Sequence, residues 1–154
     1  MANIVPDSFK AELLCGSHNF EYGVSAQVFK LALYTSIASY STASTSYLSG
    51  TGNGEVSSSG TNYTTGGNTL SLDTTSGTVI GSNTAIVDFA NLTFSNVTLT
   101  SVGAAIYNTS TTPSDMLILV LDFGGSKTAT SGDFTIQFPS NTATDAIIRL
   151  GDPA

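Results

Sequence analysis

The segment from Asp115 to Phe138 limits what this chain can fold into more than any other. It opens with six apolar residues in a row, Met116-Leu117-Ile118-Leu119-Val120-Leu121. Asp122-Phe123-Gly124-Gly125 and a polar loop follow, then Gly132-Asp133-Phe134-Thr135-Ile136-Gln137-Phe138-Pro139. A short apolar run bounded by turn residues predicts a strand buried on both faces. The second run alternates, with Phe134, Ile136 and Phe138 on one face and Thr135 and Gln137 on the other, which predicts a half-buried strand. A fully buried strand beside a half-buried one needs a covering layer. That requirement points to an all-β fold, a β-sandwich with a jelly-roll-like topology.

The remaining pattern fills in that frame. Residues 1–6 read as an extended arm. A short helix is expected from Phe9 to about Cys15, with Asp7 or Ser8 as its N-cap, Phe9 and Leu13 on one face and Gly16 as its stop. Two turns are too short to be stable alone, so the helix must dock. Val28–Thr35 reads as the first good strand. Weaker or shorter strands follow at Thr69–Thr74, Thr78–Ile80, Ala85–Phe89, Leu92–Phe94, Val97–Leu99, Ala104–Tyr107 and Ala146–Leu150. The two segments around Ser95-Asn96 are out of phase, as a bulge or a change of sheet would make them. This gives eight to ten short strands in one domain spanning 1–154, with no internal repeat. Between them, residues 36–68 form a Ser/Thr/Gly-rich excursion punctuated by Tyr40, Tyr47, Val56 and Tyr63. A loop this long needs a job or an anchor, and isolated tyrosines whose hydroxyls find partners are natural anchors.

Charge excludes several classes of function. The net charge is −7, and Lys10, Lys30, Lys127 and Arg149 are the only basic residues. Four scattered cations cannot line a phosphate backbone or hold an anionic membrane, so neither nucleic acid nor membrane is an expected partner. Charged residues make up 10% of the chain, while Ser and Thr together number 45. A surface with so little charge repels its neighbours weakly, which a protein crowded into a repetitive assembly tolerates. Cys15 is the single cysteine, so there is no internal disulfide, and it is expected as a small buried hydrophobe beside Leu14. The first residues lack the pattern of a signal peptide, which predicts synthesis in the cytoplasm.

No motif carries chemistry in the context it needs. Asp122-Phe123-Gly124 copies a kinase triplet without the other kinase elements. Gly50-Thr51-Gly52-Asn53-Gly54 neither follows a clear strand nor opens a helix, and reads as a flexible loop rather than a phosphate cradle. His18, the lone histidine, has no nucleophile-elbow partner and reads as a turn or packing residue. The acids Asp73, Asp115 and Asp122 lack calcium-loop spacing. The four Asn-x-Ser/Thr triplets, at Asn62, Asn91, Asn96 and Asn108, are expected by chance in a chain this rich in hydroxyls. The expectation is therefore no catalytic residue, no cofactor and no metal.

Several segments together resemble a family of small virion structural proteins of tailed bacteriophages. They are Ser8-Phe9-Lys10-Ala11-Glu12-Leu13-Leu14, Gly16-Ser17-His18-Asn19-Phe20, Phe29-Lys30-Leu31-Ala32-Leu33-Tyr34-Thr35, Tyr63-Thr64-Thr65-Gly66-Gly67, Ala105-Ile106-Tyr107-Asn108, Leu121-Asp122-Phe123-Gly124, Gly132–Pro139 and Ala146–Leu150. They span nearly the whole chain. The resemblance implies a non-enzymatic capsid decoration, or cement, protein on the capsid exterior. Such a protein would bridge neighbouring copies of the major capsid protein as a homo-oligomer, with a trimer favoured over a dimer. A tail, neck or baseplate component, or a head-fibre or carbohydrate-binding module, is the alternative. The interface candidates are Phe9, Lys10 and Leu13 of the helix and Tyr40, Tyr47 and Tyr63 of the excursion.

Overall fold

A computed structural model describes residues 2–24, 26–80 and 83–151. The protein is mostly β, with two antiparallel sheets and one short helix near its N-terminus. In chain order the elements are α1 (Asp7–Leu14), β1 (Phe29–Tyr34), β2 (Asn68–Leu70), β3 (Thr78–Ile80), β4 (Thr84–Val87), β5 (Leu92–Asn108), β6 (Met116–Ile136) and β7 (Ile148–Leu150). The larger sheet has the order β2-β1-β5-β6 and the smaller β3-β4-β7.

The dominant feature is the β5–β6 hairpin, paired from Asn108↔Met116 to Leu92↔Ile136. At about 3.3 Å per residue it is roughly 50 Å long. Here the expectation of many short strands is corrected, because the pieces read separately are continuous. Ser101 pairs with Lys127 and Gly103 with Asp122, so residues 123–126 bulge out of β6 opposite Val102 alone. Gly124 and Gly125, at φ 70° and 150°, let the chain leave the ladder and return. The phase slip at Ser95-Asn96 is likewise a bulge within β5. Asn96 takes φ 51° there, and its N–H donates to the Asp133 carboxylate at 3.0 Å.

The larger sheet is buried on both faces, as the apolar run at Met116 requires. On one face Phe29, Leu31, Leu33, Ala104, Ile106 and Ile118 join a core that also takes Phe9 from α1 and Val87 from β4. On the other, Ala32, Tyr34, Ala105, Tyr107, Leu117 and Val120 form a second core with Ile37 and Tyr40, against which Ile4, Tyr47 and Leu48 pack. The smaller sheet and α1 therefore cover one face, joined at its margin by Val56 and Tyr63 of the excursion, and the rest of the excursion with the N-terminal arm covers the other. The arm bonds its own chain, with Ile4 and Val120 exchanging backbone hydrogen bonds at 2.8 and 2.9 Å along the outer edge of β6.

The helix departs from its expected start. Pro6 occupies the N-cap position with no side-chain cap, so neither Asp7 nor Ser8 serves as one. Proline's fixed φ favours helix entry without the stabilisation of a cap. The stop is as expected: Gly16 at φ 71° follows Cys15, and Ser17 N–H reaches back to the Glu12 carbonyl at 2.9 Å. Cys15 is exposed rather than buried, because the helix ends before turning that position inward.

Two glycines test how tightly the layers are locked. Gly67, at φ 67°, lies where an added Cβ would overlap the Leu31 carbonyl of the neighbouring strand. Gly124, at φ 70°, has open space around it. Gly124→Ala should cost about 1 kcal/mol from backbone strain alone, and Gly67→Ala at least twice that, as measured by urea denaturation.

Candidate functional site

Three places concentrate functional groups: the excursion, the lone histidine, and the side of the molecule where α1 meets β7. Each is a consequence of how the two faces of the large sheet are covered.

The excursion is held by Glu55, its only charged residue. Glu55 is 1% exposed, and its strand-like bridge to Tyr34 aims the side chain inward. One carboxylate oxygen accepts from the Tyr63 hydroxyl at 2.9 Å and the Gly66 N–H at 2.7 Å. The other accepts from the Tyr47 hydroxyl at 2.7 Å and the Gly50 N–H at 2.6 Å. Four donors on one carboxylate offset the cost of burying it. The surrounding tyrosines extend the clamp. Tyr107 donates to the Gly66 carbonyl at 2.7 Å and stacks on Tyr47 at 4.3 Å between ring centres. Tyr34 donates to the Leu48 carbonyl at 2.6 Å, while Leu48 N–H donates to Tyr40 at 2.9 Å. The glycine-rich segment expected to be a flexible loop instead forms a 3-10 turn at Thr51–Asn53, tied to the clamp through Gly50.

This placement revises the interface candidates. Tyr40 and Tyr63 are buried within their own chain and present no surface, and Tyr47 spends its hydroxyl on Glu55. Phe9 is also buried, under the helix it belongs to. Their role is internal anchoring, the other half of the reading made from the isolated tyrosines. Glu55 itself was missed. The signal available was that a single carboxylate occupies a 33-residue tract otherwise free of charge.

His18 is buried with both ring nitrogens engaged. Asn108 lies 3.1 Å from Nδ1 and Glu12 lies 3.0 Å from Nε2. The Asn108 amide donates, so Nδ1 accepts and Nε2–H donates to Glu12. The ring stacks on Phe20 and tilts against Phe9. This arrangement ties α1 to the end of β5 and leaves neither nitrogen for a reacting group. Among the carboxylates, Asp73 accepts from the Thr75 N–H and hydroxyl and from the Asn141 amide. No cluster of three or more His, Cys, Asp or Glu is placed to hold a metal among the described residues.

The open surface lies beside the helix. Val5, Leu13 and Leu14, with Ile118, Ile148 and Leu150, line an apolar groove of about 460 Å³ between α1 and β7 over β6. Lys10 and Arg149, two of the four basic residues, stand on its rim. Leu14 is 90% exposed and Leu150 57%, an unusual cost for large apolar side chains unless something covers them. All three helix candidates line this groove, Lys10 and Leu13 beside the buried Phe9 at its floor. Leu14, Arg149 and Leu150 were not foreseen, since only the docking of β7 beside α1 brings them together.

No protein-family model, curated protein or solved structure matches the chain.

Two outcomes follow from the clamp. Glu55→Gln replaces an acceptor by an amide facing a donor and should cost about 2–4 kcal/mol of unfolding free energy in urea titration. Burial raises the ionisation of Tyr34, Tyr40, Tyr47, Tyr63 and Tyr107 above the ordinary tyrosine value. The folded state thus keeps protons that the unfolded chain releases above about pH 10. Stability is undiminished below that pH and falls above it, as the unfolded chain releases tyrosine protons that the folded state retains. Tyrosinate absorbance should accordingly rise above about pH 10 later in the folded protein than in the urea-unfolded chain, as followed by ultraviolet titration of both.

Proposed function

We propose that the protein is a non-enzymatic structural component of a tailed-bacteriophage virion. In this reading it binds the outside of the assembled capsid as a homo-oligomer and stabilises the shell by bridging neighbouring major capsid subunits. It would be made in the host cytoplasm and act on the capsid exterior, without cofactor, nucleic acid or membrane. We read its two sheets as a jelly-roll-like sandwich, on the crossover that places β1 between β2 and β5. The observation that carries the reading is the contrast between spent and unspent groups. His18, Glu55 and five of the six tyrosines are consumed by internal bonds, whereas an apolar groove with Lys10 and Arg149 on its rim is left open. That is the arrangement of a scaffold that works by adhesion. Repetition over a lattice multiplies modest interfaces into a firm bond.

A second reading is favoured by one feature of the β5–β6 hairpin. Its outward face carries Thr93, Thr98, Thr100, Thr128, Thr130 and Thr135, all exposed, with hydroxyl pairs at 2.9 Å (Thr93–Thr135) and 2.8 Å (Thr100–Thr128). A flat hydroxyl face suits a carbohydrate, as a head-fibre or host-surface module would need. A tail, neck or baseplate position would use the same scaffold in few copies.

The readings separate when purified protein is added to expanded capsids that lack it. The capsid-cement reading expects saturable binding in hundreds of copies and a higher shell melting temperature. Binding in a few copies at one vertex would favour the neck or tail. Glycan binding lost on Thr100→Glu, without capsid binding, would favour the host-surface module.

A further inference from the structure

Two aspartates distant in sequence meet just beyond β4. Leu72 and Phe89 form a bridge, flanked by the Asp73 N–H donating to the Asp88 carbonyl and the Ala90 N–H to the Ser71 carbonyl, both at 2.9 Å. Asp73 and Asp88 therefore stand directly opposite each other on a short antiparallel ladder. Opposed residues project to the same face, with Cβ atoms about 4.5–5.5 Å apart. Leu72 and Phe89 turn to the main core, so the two carboxylates share the other face. There the Asn141 amide reaches an Asp73 carboxylate oxygen at 2.7 Å, and the Thr75 hydroxyl donates to the same oxygen at 3.0 Å.

Like charges directly opposite one another destabilise a ladder. Asp88 adds a second cost. It is 1% exposed, and while Oδ1 accepts the Phe89 N–H at 2.9 Å, Oδ2 is buried without any hydrogen-bond partner. Ionised, that oxygen lacks a donor; protonated, it lacks an acceptor. Burial, with the Asp73 charge adding to it, pushes the Asp88 carboxyl above the ordinary carboxylate range, against the pull of the Phe89 and Ile147 N–H groups. Among the described residues neither carboxylate has a basic partner. A water molecule would supply a donor to Oδ2 and leave the repulsion in place. A metal cation answers both needs at once.

We propose that Asp73 and Asp88 hold a calcium ion between them. Calcium takes oxygen ligands in flexible geometry, whereas magnesium demands an octahedron and keeps much of its water. The oxygens to hand are the two carboxylates, the Asn141 side-chain carbonyl and the Thr75 hydroxyl, with water completing the shell from the side of Asp73, which is half-buried. Two carboxylates without a third put the dissociation constant at about 0.1–1 mM. The ion ties the turn after β2 to the chain beyond β4 and to the segment after β6. Loop spacing in the sequence does not reveal such a site, because the second acid arrives through strand pairing. Its role is structural, and it does not rest on the virion reading.

Thermal unfolding of the full chain, stripped of metal with a chelator, tests this. Calcium should raise the melting temperature saturably, by about 3–6 °C at roughly ten times its dissociation constant, where sodium chloride of equal ionic strength does not. Asp88→Asn should lose that response and, with its charge gone, melt no lower than the calcium-free parent. Should that variant not fold, Asp73→Asn should lose the response in its place. Asp115→Asn removes a charge outside the pair and should respond as the parent does. A parent whose melting temperature calcium leaves unmoved, or a response that survives Asp88→Asn or is matched by sodium chloride, would overturn the proposal.

Discussion

The structure depends on a sheet that cannot face water on either side. Leu33, Ala104, Ala105, Ile106, Ile118 and Val120 have no exposed surface, and they belong to three adjacent strands. Such a sheet folds only if two separate covers form over it. One is conventional, a second sheet with a short helix laid across it. The other is an irregular, hydroxyl-rich excursion that lacks the apolar content to dock by burial alone. Hydrogen bonding to a single carboxylate supplies what burial does not, and places Glu55 at the centre of the stability of the fold.

This division of labour also sets where function can reside. The groups most suited to chemistry are drawn into holding the covers in place: His18 joins the helix to β5, and the tyrosines hold the excursion to the sheet. What remains accessible is apolar on the α1–β7 side and hydroxylated along the hairpin. Both are surfaces for contact: the capsid reading draws on the first and the carbohydrate reading on the second.

Much of this was legible in the sequence, and the failures share a cause. β3 falls on the predicted residues, β1 within one residue of the predicted strand at either end, and the two-faced burial of Met116–Leu121 followed from an unbroken apolar run. The continuity of β5 and β6 was not legible. Asp122-Phe123-Gly124-Gly125 has the composition of a turn whether the chain reverses or bulges and resumes, and only pairing with β5 decides between them. Local patterns likewise marked the tyrosines as anchors but could not show that their hydroxyls point inward to Glu55. At the groove, Phe9 and Leu13 were legible as a helix face. Leu14 and Leu150 meet only through long-range packing, which periodicity does not encode.

The excursion is a cover as firmly built as the sheet beneath it. Native-state hydrogen exchange tests this most directly, residue by residue. The amides of Leu48, Gly50 and Gly66 should exchange as slowly as those of β1 and β6, with protection that collapses together in Glu55→Gln. Fast exchange of these three amides in the parent protein, while β1 and β6 stay protected, would contradict the account.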